Sequence, residues 1–567
     1  LDSAFWAYLT IEELVRLGVD YFFISPGSRS TPLVLAIDKL SDKCQFSIHF
    51  DERAMAFMAL GWAKASGKPA VLVCTSGSAV ANYLPAVVEA YQQGIPLILL
   101  TADRPDRLLN CGANQAINQR GIFANYVCAE INITSPNLQS NANDLLYNID
   151  NIYYKSVNLN SPVHINCQYD EPFFRTDTFD DIVSDCGLLN WLYNFKPLAK
   201  QEIKPKIISV DNIKQIVEIL QGKQILIIAG RMRNELEAEA VINFAKYINA
   251  PCCADITSYA RFNTQCICYF DFIIKQKVLK PDVILHFGGG FISKALLEYS
   301  TNLKVTYIHI DNSNLAYNPE NQVSVDLRGD IVKCCQSLQN NCLKNNFKFY
   351  ESWLRCEDNI AKRLQGWIAK NTFSEIAIVK KICDCLTAQD ALVIGASMPV
   401  RLVNLLAKTR RDIFVPVSSN RGASGIDGNI ATAVGWAKYW QKRTILLIGD
   451  LTFLHDATSL SLISKLVHPV LIIVLNNNGG AIFNYLPIAK HIKDKSKFNA
   501  LFSTPHNYQS FQYMATQFNL DYIQPKSIEQ LSQVLTQASQ STLVEISLDA
   551  DVEYKNYQNC FKDVANV

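Results

Sequence analysis

The run Ile445-Leu446-Leu447-Ile448-Gly449-Asp450 places a carboxylate at the end of a stretch suited to a buried strand. Counting 27 positions on from Asp450 reaches Asn477, where a second such stretch ends in Asn476-Asn477-Asn478-Gly479-Gly480. An Asp carboxylate, an Asn amide oxygen and a free carbonyl near Gly479 are hard oxygen donors. Such a set suits Mg²⁺, which usually shares its shell with phosphate oxygens and water. The glycines let main chain approach a diphosphate closely. Taken singly, Asp450 reads equally well as a helix cap and the Asn-Gly run as a turn. Two strand ends carrying complementary donors favour the metal–diphosphate reading.

Other strand ends carry groups of the same kind. His49-Phe50-Asp51-Glu52-Arg53 leads into a helical stretch, with Asp51 placed to cap it and Glu52 in the first turn. Capping accounts for Asp51; Glu52 is free to face a ligand. In Ser25-Pro26-Gly27-Ser28-Arg29-Ser30-Thr31-Pro32, Ser30 or Thr31 is placed to cap a helix that has Pro32 near its start. Capping leaves Arg29 unexplained, and a guanidinium in such a loop suits bidentate recognition of a carboxylate or phosphate. Thr75-Ser76-Gly77-Ser78 follows a strand and opens a helix, an anion-friendly arrangement. Arg104 in Thr101-Ala102-Asp103-Arg104-Pro105, Arg401 after Gly395-Ala396-Ser397, and Arg421 in Ser418-Ser419-Asn420-Arg421-Gly422-Ala423-Ser424-Gly425-Ile426-Asp427-Gly428 occupy equivalent spots. One such arginine is ordinarily a surface ion pair. Several at strand ends point to a substrate with more than one carboxylate.

The elements that must position these groups alternate along all 567 residues: short β-branched runs, then helical stretches. That alternation is the pattern of parallel sheets covered by helices, in which ligands bind beyond the carboxyl ends of the strands. Strands are expected at Tyr21–Ser25, Gln45–Phe50, Ala70–Cys74 and Pro96–Leu100; at Gln224–Ala229, Val283–Phe287 and Val305–Ile310; and at Ala391–Ile394, Ile413–Val417, Thr444–Ile448, Val470–Leu475 and Thr542–Ser547. Met55, Met58 and Trp62 give Ala54–Ala65 one buried helical face. Polar stretches at Gln201–Lys206 and Asn340–Lys348 read as connections between three α/β blocks.

Composition sets the outer bounds. Hydrophobic residues make up 49% and charged residues 19%, enough apolar material for several cores. Fifty-three basic against 52 acidic residues give a net charge of +1, without the basic excess of a nucleic-acid binder. No apolar run reaches the ~20 residues of a membrane-spanning helix, and Leu1–Trp6 is not a secretory signal. Seventeen cysteines form no Cys-x-x-Cys pair, so they read as reduced, buried groups of a cytoplasmic protein rather than a metal site. Phe287-Gly288-Gly289-Gly290 lacks the third spaced glycine of a dinucleotide site and reads as a tight turn. His49, His164, His455 and His468 have no nucleophile motif beside them and read as core or surface residues.

Together these segments resemble the thiamine diphosphate enzymes. The Gly-Asp…Asn-Asn pair resembles their metal–diphosphate motif, and Glu52 their cofactor-activating glutamate. Within that superfamily, SPGSRSTPL, HFDER, TADRP followed by Cys111-Gly112-Ala113-Asn114-Gln115-Ala116, SNRGASGIDG and NNNGGAIF resemble the synthases of 2-succinyl-5-enolpyruvyl-6-hydroxy-3-cyclohexene-1-carboxylate in menaquinone biosynthesis. The matches run in order through the first and third blocks, while the middle block matches weakly.

The resemblance implies three doubly wound parallel-sheet α/β domains: pyrimidine-binding over 1–185, central over 200–345 and diphosphate-binding over 370–567. It implies a transferase that decarboxylates 2-oxoglutarate and adds the resulting succinic-semialdehyde carbanion equivalent to isochorismate. Thiamine diphosphate is the implied cofactor, with Mg²⁺ or alternatively Mn²⁺ held by Asp450, Asn477 and the Gly479 carbonyl. Glu52 is implied as the catalytic group, hydrogen-bonded to the cofactor's pyrimidine. Ser397, Ile426, Gly449 and Phe483 are further cofactor contacts, Ile426 as the wedge that bends it. Ser28, Arg29, Arg104, Asn114, Gln115, Lys294, Arg401, Arg421, Phe483 and Leu486 are the implied substrate contacts. A homodimer or homotetramer is implied, with Glu52 of one chain and Asp450 of its neighbour serving one site.

Two positions depart from the family pattern. Lys294 is followed by Ala295 where Arg is usual, and Ala396 replaces a common Asn before Ser397. Both leave Glu52 and the metal pair intact, so activity is expected with altered substrate affinity. A pyruvate-using carboligase of the same superfamily would need fewer arginines. A non-catalytic scaffold would have no reason to keep both Glu52 and Asp450.

Overall fold

The computed structural model describes residues 2–174, 188–202, 206–262, 266–276, 279–342, 344, 347–409 and 413–565. The chain divides into two compact units, one of residues 1–204, 421–440 and 456–462, the other of 205–420, 441–455 and 463–567.

The first unit is built on β1 (Tyr21–Ser25), β2 (Gln45–Ile48), β3 (Ala70–Cys74), β4 (Leu97–Asp103), β5 (Ala129–Ile133) and β6 (Val163–Gln168). They pair in parallel in the order β2-β1-β3-β4-β6-β5. β1, β3, β4 and β6 are buried throughout, as continuous apolar runs in a covered parallel sheet must be. Helix α1 (Glu52–Ser66) starts directly after β2, its first turn capped by Asp51, which accepts the Ala54 amide at 3.1 Å.

The second unit holds two parallel sheets. One has the order β11-β10-β9-β7-β8, from β7 (Ile225–Ala229), β8 (Cys252–Ala254), β9 (Val283–Phe287), β10 (Thr306–Asp311) and β11 (Val325–Arg328). The other has β12 (Asp390–Ile394), β13 (Val417–Ser418), β14 (Arg443–Gly449), β15 (Val470–Asn476), β16 (Asp521–Ile523) and β17 (Thr542–Ser547), in the order β13-β12-β14-β15-β17-β16. Renumbered from its own first strand, this order repeats that of the first unit's sheet. In both sheets the first strand sends its chain outward one way and the third strand lies on its other side. That reversal opens a crevice at the carboxyl ends.

Several expectations need correction. The strand expected over Ile413–Val417 is only Val417–Ser418, and Gln45–Phe50 stops at Ile48, because His49 and Asp51 are taken up in capping α1. Ser30 does not cap the helix at Thr31–Lys39; its hydroxyl turns back to the Gly27 amide at 3.1 Å and carbonyl at 3.0 Å. The connection expected at Asn340–Lys348 overlaps the ends of two helices, Ile331–Asn341 and Phe347–Lys370, with 343, 345 and 346 outside the described residues. Of the connection at 201–206, residues 203–205 lie outside them too. The turn at Gly288 (φ +82°) closes on Arg231, whose carbonyl a Cβ there would meet at 2.5 Å. His49 and His164 are hydrogen-bonded inside the first unit, to Ser461 at 2.8 Å and Thr101 at 2.8 Å. No described helix is long and apolar enough to cross a membrane.

Candidate active site

In the second unit, the expected metal and diphosphate groups stand at three neighbouring strand ends. β12 ends in Gly395-Ala396-Ser397, β14 in Gly449-Asp450 and β15 in Asn476–Gly480. Asp450 opens helix α4 (Asp450–His455; numbered here with α1, α2 for Met398–Leu406 and α3 for Asn429–Trp440) and is 2% exposed. Its Oδ2 accepts the main-chain amides of Gly479 at 2.8 Å and Asn477 at 3.2 Å, and its Oδ1 that of Leu451 at 2.7 Å. Burial nonetheless raises its proton affinity above that of an ordinary aspartate, so a cation beside it would be favoured.

The Asn477 side chain supplies a more direct sign. Its Oδ1 is buried without a hydrogen-bond partner. A buried amide oxygen left unpaired is costly, and a metal ion at that spot would satisfy it. Gly479 (φ +137°) lies so close to Ser503 that a Cβ would sit 2.0 Å from its carbonyl oxygen. Only glycine holds this main chain so close to Ser503; its carbonyl accepts the Ala481 amide at 3.0 Å. These donors fit a Mg²⁺–diphosphate group. Sequence reasoning missed His506, whose Nε2 lies 3.4 Å from Asp450 Oδ2 and 3.2 Å from Asn476 Oδ1. It follows no strand, so strand-end inspection had no signal for it.

Ser397 takes φ +70° as it turns from β12 into α2 and leaves the first amides of that helix without a side-chain cap. Arg401, exposed and one turn on, donates to the Ser397 carbonyl at 2.5 Å. Arg401 and Lys294 line one cavity of about 670 Å³ together with Lys275, Asn404 and Tyr557. Lys294 is exposed and lies 3.4 Å from Glu298. Phe483 is half-buried against Phe502 and Leu486 is exposed.

In the first unit, a second set gathers at the ends of β1, β3 and β4. Arg104, 8% exposed, donates to the Ser76 hydroxyl. Gln115 donates to the Ser76 carbonyl at 3.1 Å. Arg29 donates to the Tyr169 carbonyl at 2.9 Å and lies over the Phe173 ring at 4.7 Å. Burial first, and then the positive charge of Arg104, make Arg29 easier to deprotonate than an ordinary arginine. Two partly desolvated guanidiniums that repel each other form a ready place for an anion. Ser28 and Asn114 are exposed beside them in sequence. Gln119, which the quoted motif stops short of, accepts the Gly77 amide at 3.0 Å and donates to Ala102 at 3.1 Å and Asn166 at 2.9 Å. It fixes the loop that carries Ser76.

Glu52, Arg421 and Ile426 also belong to the first unit, and α1 and α3 bring them onto one scaffold. The two helices touch main chain to main chain. A Cβ on Gly61 would lie 2.1 Å from the Thr432 carbonyl oxygen, and one on Gly435 1.9 Å from that of Met58. Gly428 (φ +62°) precedes α3, and a Cβ there would strike the Phe57 ring at 1.9 Å. The start of α1 is pinned by Thr458, which donates to Asp51 Oδ2 at 2.9 Å. The start of α3 is capped by Asp456, which accepts the Ile430 amide at 2.7 Å and the Ala431 amide at 3.1 Å. Burial pushes the Asp456 carboxyl up to about 6. The 422–424 loop is held by buried Glu89, which accepts the amides of Gly422 at 2.7 Å, Ala423 at 2.6 Å and Ser424 at 3.2 Å. Glu89 sits inside the helix Leu84–Gln93 and Asp456 in the turn after α4, places where a carboxylate ordinarily reads as a surface residue, so sequence reasoning passed over both. Ile426, apolar yet exposed, is the side chain this loop presents.

Comparison with known families bears on both sets. Residues 7–122 match the thiamine pyrophosphate enzyme N-terminal TPP binding domain, 185–394 the middle domain of thiamine pyrophosphate enzymes and 400–546 the C-terminal TPP binding domain. The chain is 36% identical over 579 residues to the 2-succinyl-5-enolpyruvyl-6-hydroxy-3-cyclohexene-1-carboxylate synthase of Chlorobium phaeobacteroides, covering 100% of this chain and 98% of that protein. To the synthase of the same name from Psychromonas ingrahamii it is 37% identical over 564 residues, covering 98% of this chain and 94% of the relative. The middle block, whose motifs resembled the family only weakly, matches the middle-domain model as well. With both ends and the middle accounted for, the chain belongs to the 2-succinyl-5-enolpyruvyl-6-hydroxy-3-cyclohexene-1-carboxylate synthase family of thiamine pyrophosphate enzymes.

Proposed function

We propose that this chain decarboxylates 2-oxoglutarate and joins the remaining four-carbon unit to isochorismate, releasing CO₂ and giving the product for which its relatives are named. Thiamine diphosphate, when bound, supplies the electron sink that makes loss of CO₂ possible. The observation that carries the site assignment is the unpaired, buried Asn477 Oδ1 beside Asp450. With the Gly479 carbonyl these two would hold Mg²⁺ or Mn²⁺ against the diphosphate, while Gly449 and Ser397 line its approach.

Glu52 would hold a proton at the pyrimidine ring nitrogen, in a setting where a charged hydrogen bond is strengthened by limited solvent. Ile426 would wedge the cofactor from a loop fixed by Glu89. Arg401 and Arg421 would take the succinyl carboxylate, with Lys294 at the rim. Ser28, Arg29, Arg104, Asn114 and Gln115 would orient isochorismate, and Phe483 and Leu486 would wall the site against water. Each charge-assisted contact contributes about 1.5–3 kcal/mol.

The working form is a homodimer or homotetramer in which Glu52 and Asp450 of neighbouring chains serve one site. The proposed domains are pyrimidine-binding over 1–185, central over 200–345 and diphosphate-binding over 370–567. Two small water-soluble acids as substrates support a cytoplasmic setting. A substrate panel tests the assignment. CO₂ release and product formation are expected with 2-oxoglutarate plus isochorismate. A preference for pyruvate would overturn it.

A further inference from the structure

We propose that Cys266 and Cys268 form a redox-modification site, a dithiol that closes to a disulfide on exposure to a peroxide and reopens with a thiol reductant.

The geometry comes from the main chain. Ile267 bridges to Cys253 in parallel fashion and donates its amide to Cys252 at 2.8 Å. Extended main chain sends residues 266 and 268 to the same side. Their sulfurs stand 3.8 Å apart. Both also touch the Thr409 hydroxyl, at 3.2 and 3.1 Å, and the Thr409 amide donates to the Cys268 sulfur at 3.3 Å. A disulfide needs the sulfurs at about 2.05 Å with a Cβ–S–S–Cβ dihedral of about ±90°, so closure here requires both side chains to rotate and the main chain at Ile267 to adjust.

The charge comes from Arg261, which is 1% exposed. Its guanidinium donates to the carbonyls of Ala254 at 2.8 Å, Cys268 at 2.9 Å and Ala407 at 2.9 Å. Those acceptors are neutral, and a buried cation requires a countercharge. Burial, and then Cys268, pushes the carboxyl of Glu357, another acid in the field of Arg261, up to about 8. Cys268, Cys266 and Asp255 are the other acidic groups in that field. The Cys266 thiol donating to it, together with Arg261 beside it, holds the Cys268 thiol well below its ordinary range, while Cys266 is pushed up. Of the two, Cys268 is the sulfur this setting favours as nucleophile.

The chemistry balances with hydrogen peroxide as oxidant. The Cys268 thiolate attacks one peroxide oxygen, the O–O bond breaks, and the departing hydroxide takes the Cys266 proton to leave as water. The Cys266 thiolate then attacks the Cys268 sulfenic sulfur, the S–O bond breaks and hydroxide leaves. Two thiol sulfurs are oxidised by two electrons, and peroxide is reduced by two.

Closure would remove the thiolate that faces Arg261 and accepts from Thr409. Ala407 and Thr409 follow α2, the helix that carries Arg401 and starts at Ser397. Oxidation is therefore expected to loosen α2 and lower turnover reversibly, a consequence that rests on the proposed role of Arg401. The modification itself does not.

The full-length enzyme is treated with hydrogen peroxide, denatured in an alkylating reagent and digested with trypsin. The peptide Phe262–Lys275 contains these two cysteines and no others. It is expected to lose two hydrogens, to escape alkylation and to recover with dithiothreitol, while Cys266→Ser abolishes the change. Full alkylation of both positions, at a peroxide dose that oxidises exposed Cys111, would overturn the site. A disulfide with unchanged turnover would overturn its link to α2.

Discussion

The Asp450 carboxylate accepts the main-chain amide of Gly479 at 2.8 Å, tying the end of one central strand to the turn after its neighbour. The bond fixes Asp450 Oδ2 on the turn and brings the Asn477 amide oxygen, otherwise unpaired, to the same place. Asn477→Ala should therefore leave the fold intact and weaken Mg²⁺ about 10- to 100-fold, the equivalent of one charged contact of about 1.5–3 kcal/mol. Mg²⁺ titration of cofactor-dependent thermal stabilisation reads this directly; an unchanged midpoint would remove Asn477 from the ligand set.

Glu89 uses both oxygens on the 422–424 loop, and Gln93 donates to it as well. A glutamine keeps only one acceptor oxygen and faces the amides with its NH₂. Glu89→Gln is expected to cost about 1–3 kcal/mol locally, and to weaken thiamine diphosphate through the loss of order at Ile426. Cofactor titration of the purified variant checks it, with far-ultraviolet circular dichroism unchanged.

Arg104 is desolvated beside Ser76 and shares its anion-friendly corner with Arg29. Arg104→Met should raise the isochorismate KM by about 10- to 100-fold, while CO₂ release from 2-oxoglutarate alone persists. Loss of both activities together would place Arg104 elsewhere in the reaction.

Glu375 is fully buried, and burial, followed by the charge of Glu553, pushes its carboxyl up from 4.5 to about 8. Below pH of about 4.5 it is protonated folded or unfolded and contributes nothing. Between about 4.5 and 8 the unfolded chain ionises it while the folded chain holds its proton, so stability falls as pH rises, and above about 8 the loss is complete. Glu375→Gln removes this penalty. Its melting temperature should match the parent near pH 4.5, exceed it increasingly toward pH 8, and stay above it by a constant margin beyond. A gap that narrows with rising pH would contradict the assignment.

The strand ends were legible because chemistry and fold share one signal there. A buried apolar run that stops at Asp450 or Asn477 announces both a strand and a ligand. β5, β11 and β16, short edge strands of mixed burial, were not legible, nor was the three-residue β8, nor interior β6, whose His164, Asn166 and Gln168 interrupt its apolar run. Glu89, Asp456 and Gln119 were hidden for another reason. Their partners are main-chain amides or buried side chains distant in sequence, 333 residues away for Glu89 and Gly422, and only folding brings them together. Ser30 shows the converse, a plausible local cap overridden by a closer acceptor at Gly27.

The central claim is that Glu52, at the first turn of α1, switches on the cofactor rather than holding it. Thiamine diphosphate affinity and CO₂ release from 2-oxoglutarate measured together on Glu52→Gln test it most directly. The account predicts cofactor binding close to that of the parent with turnover lost by at least about 100-fold, the scale of a missing proton-transfer group. CO₂ release near the parent rate would contradict it.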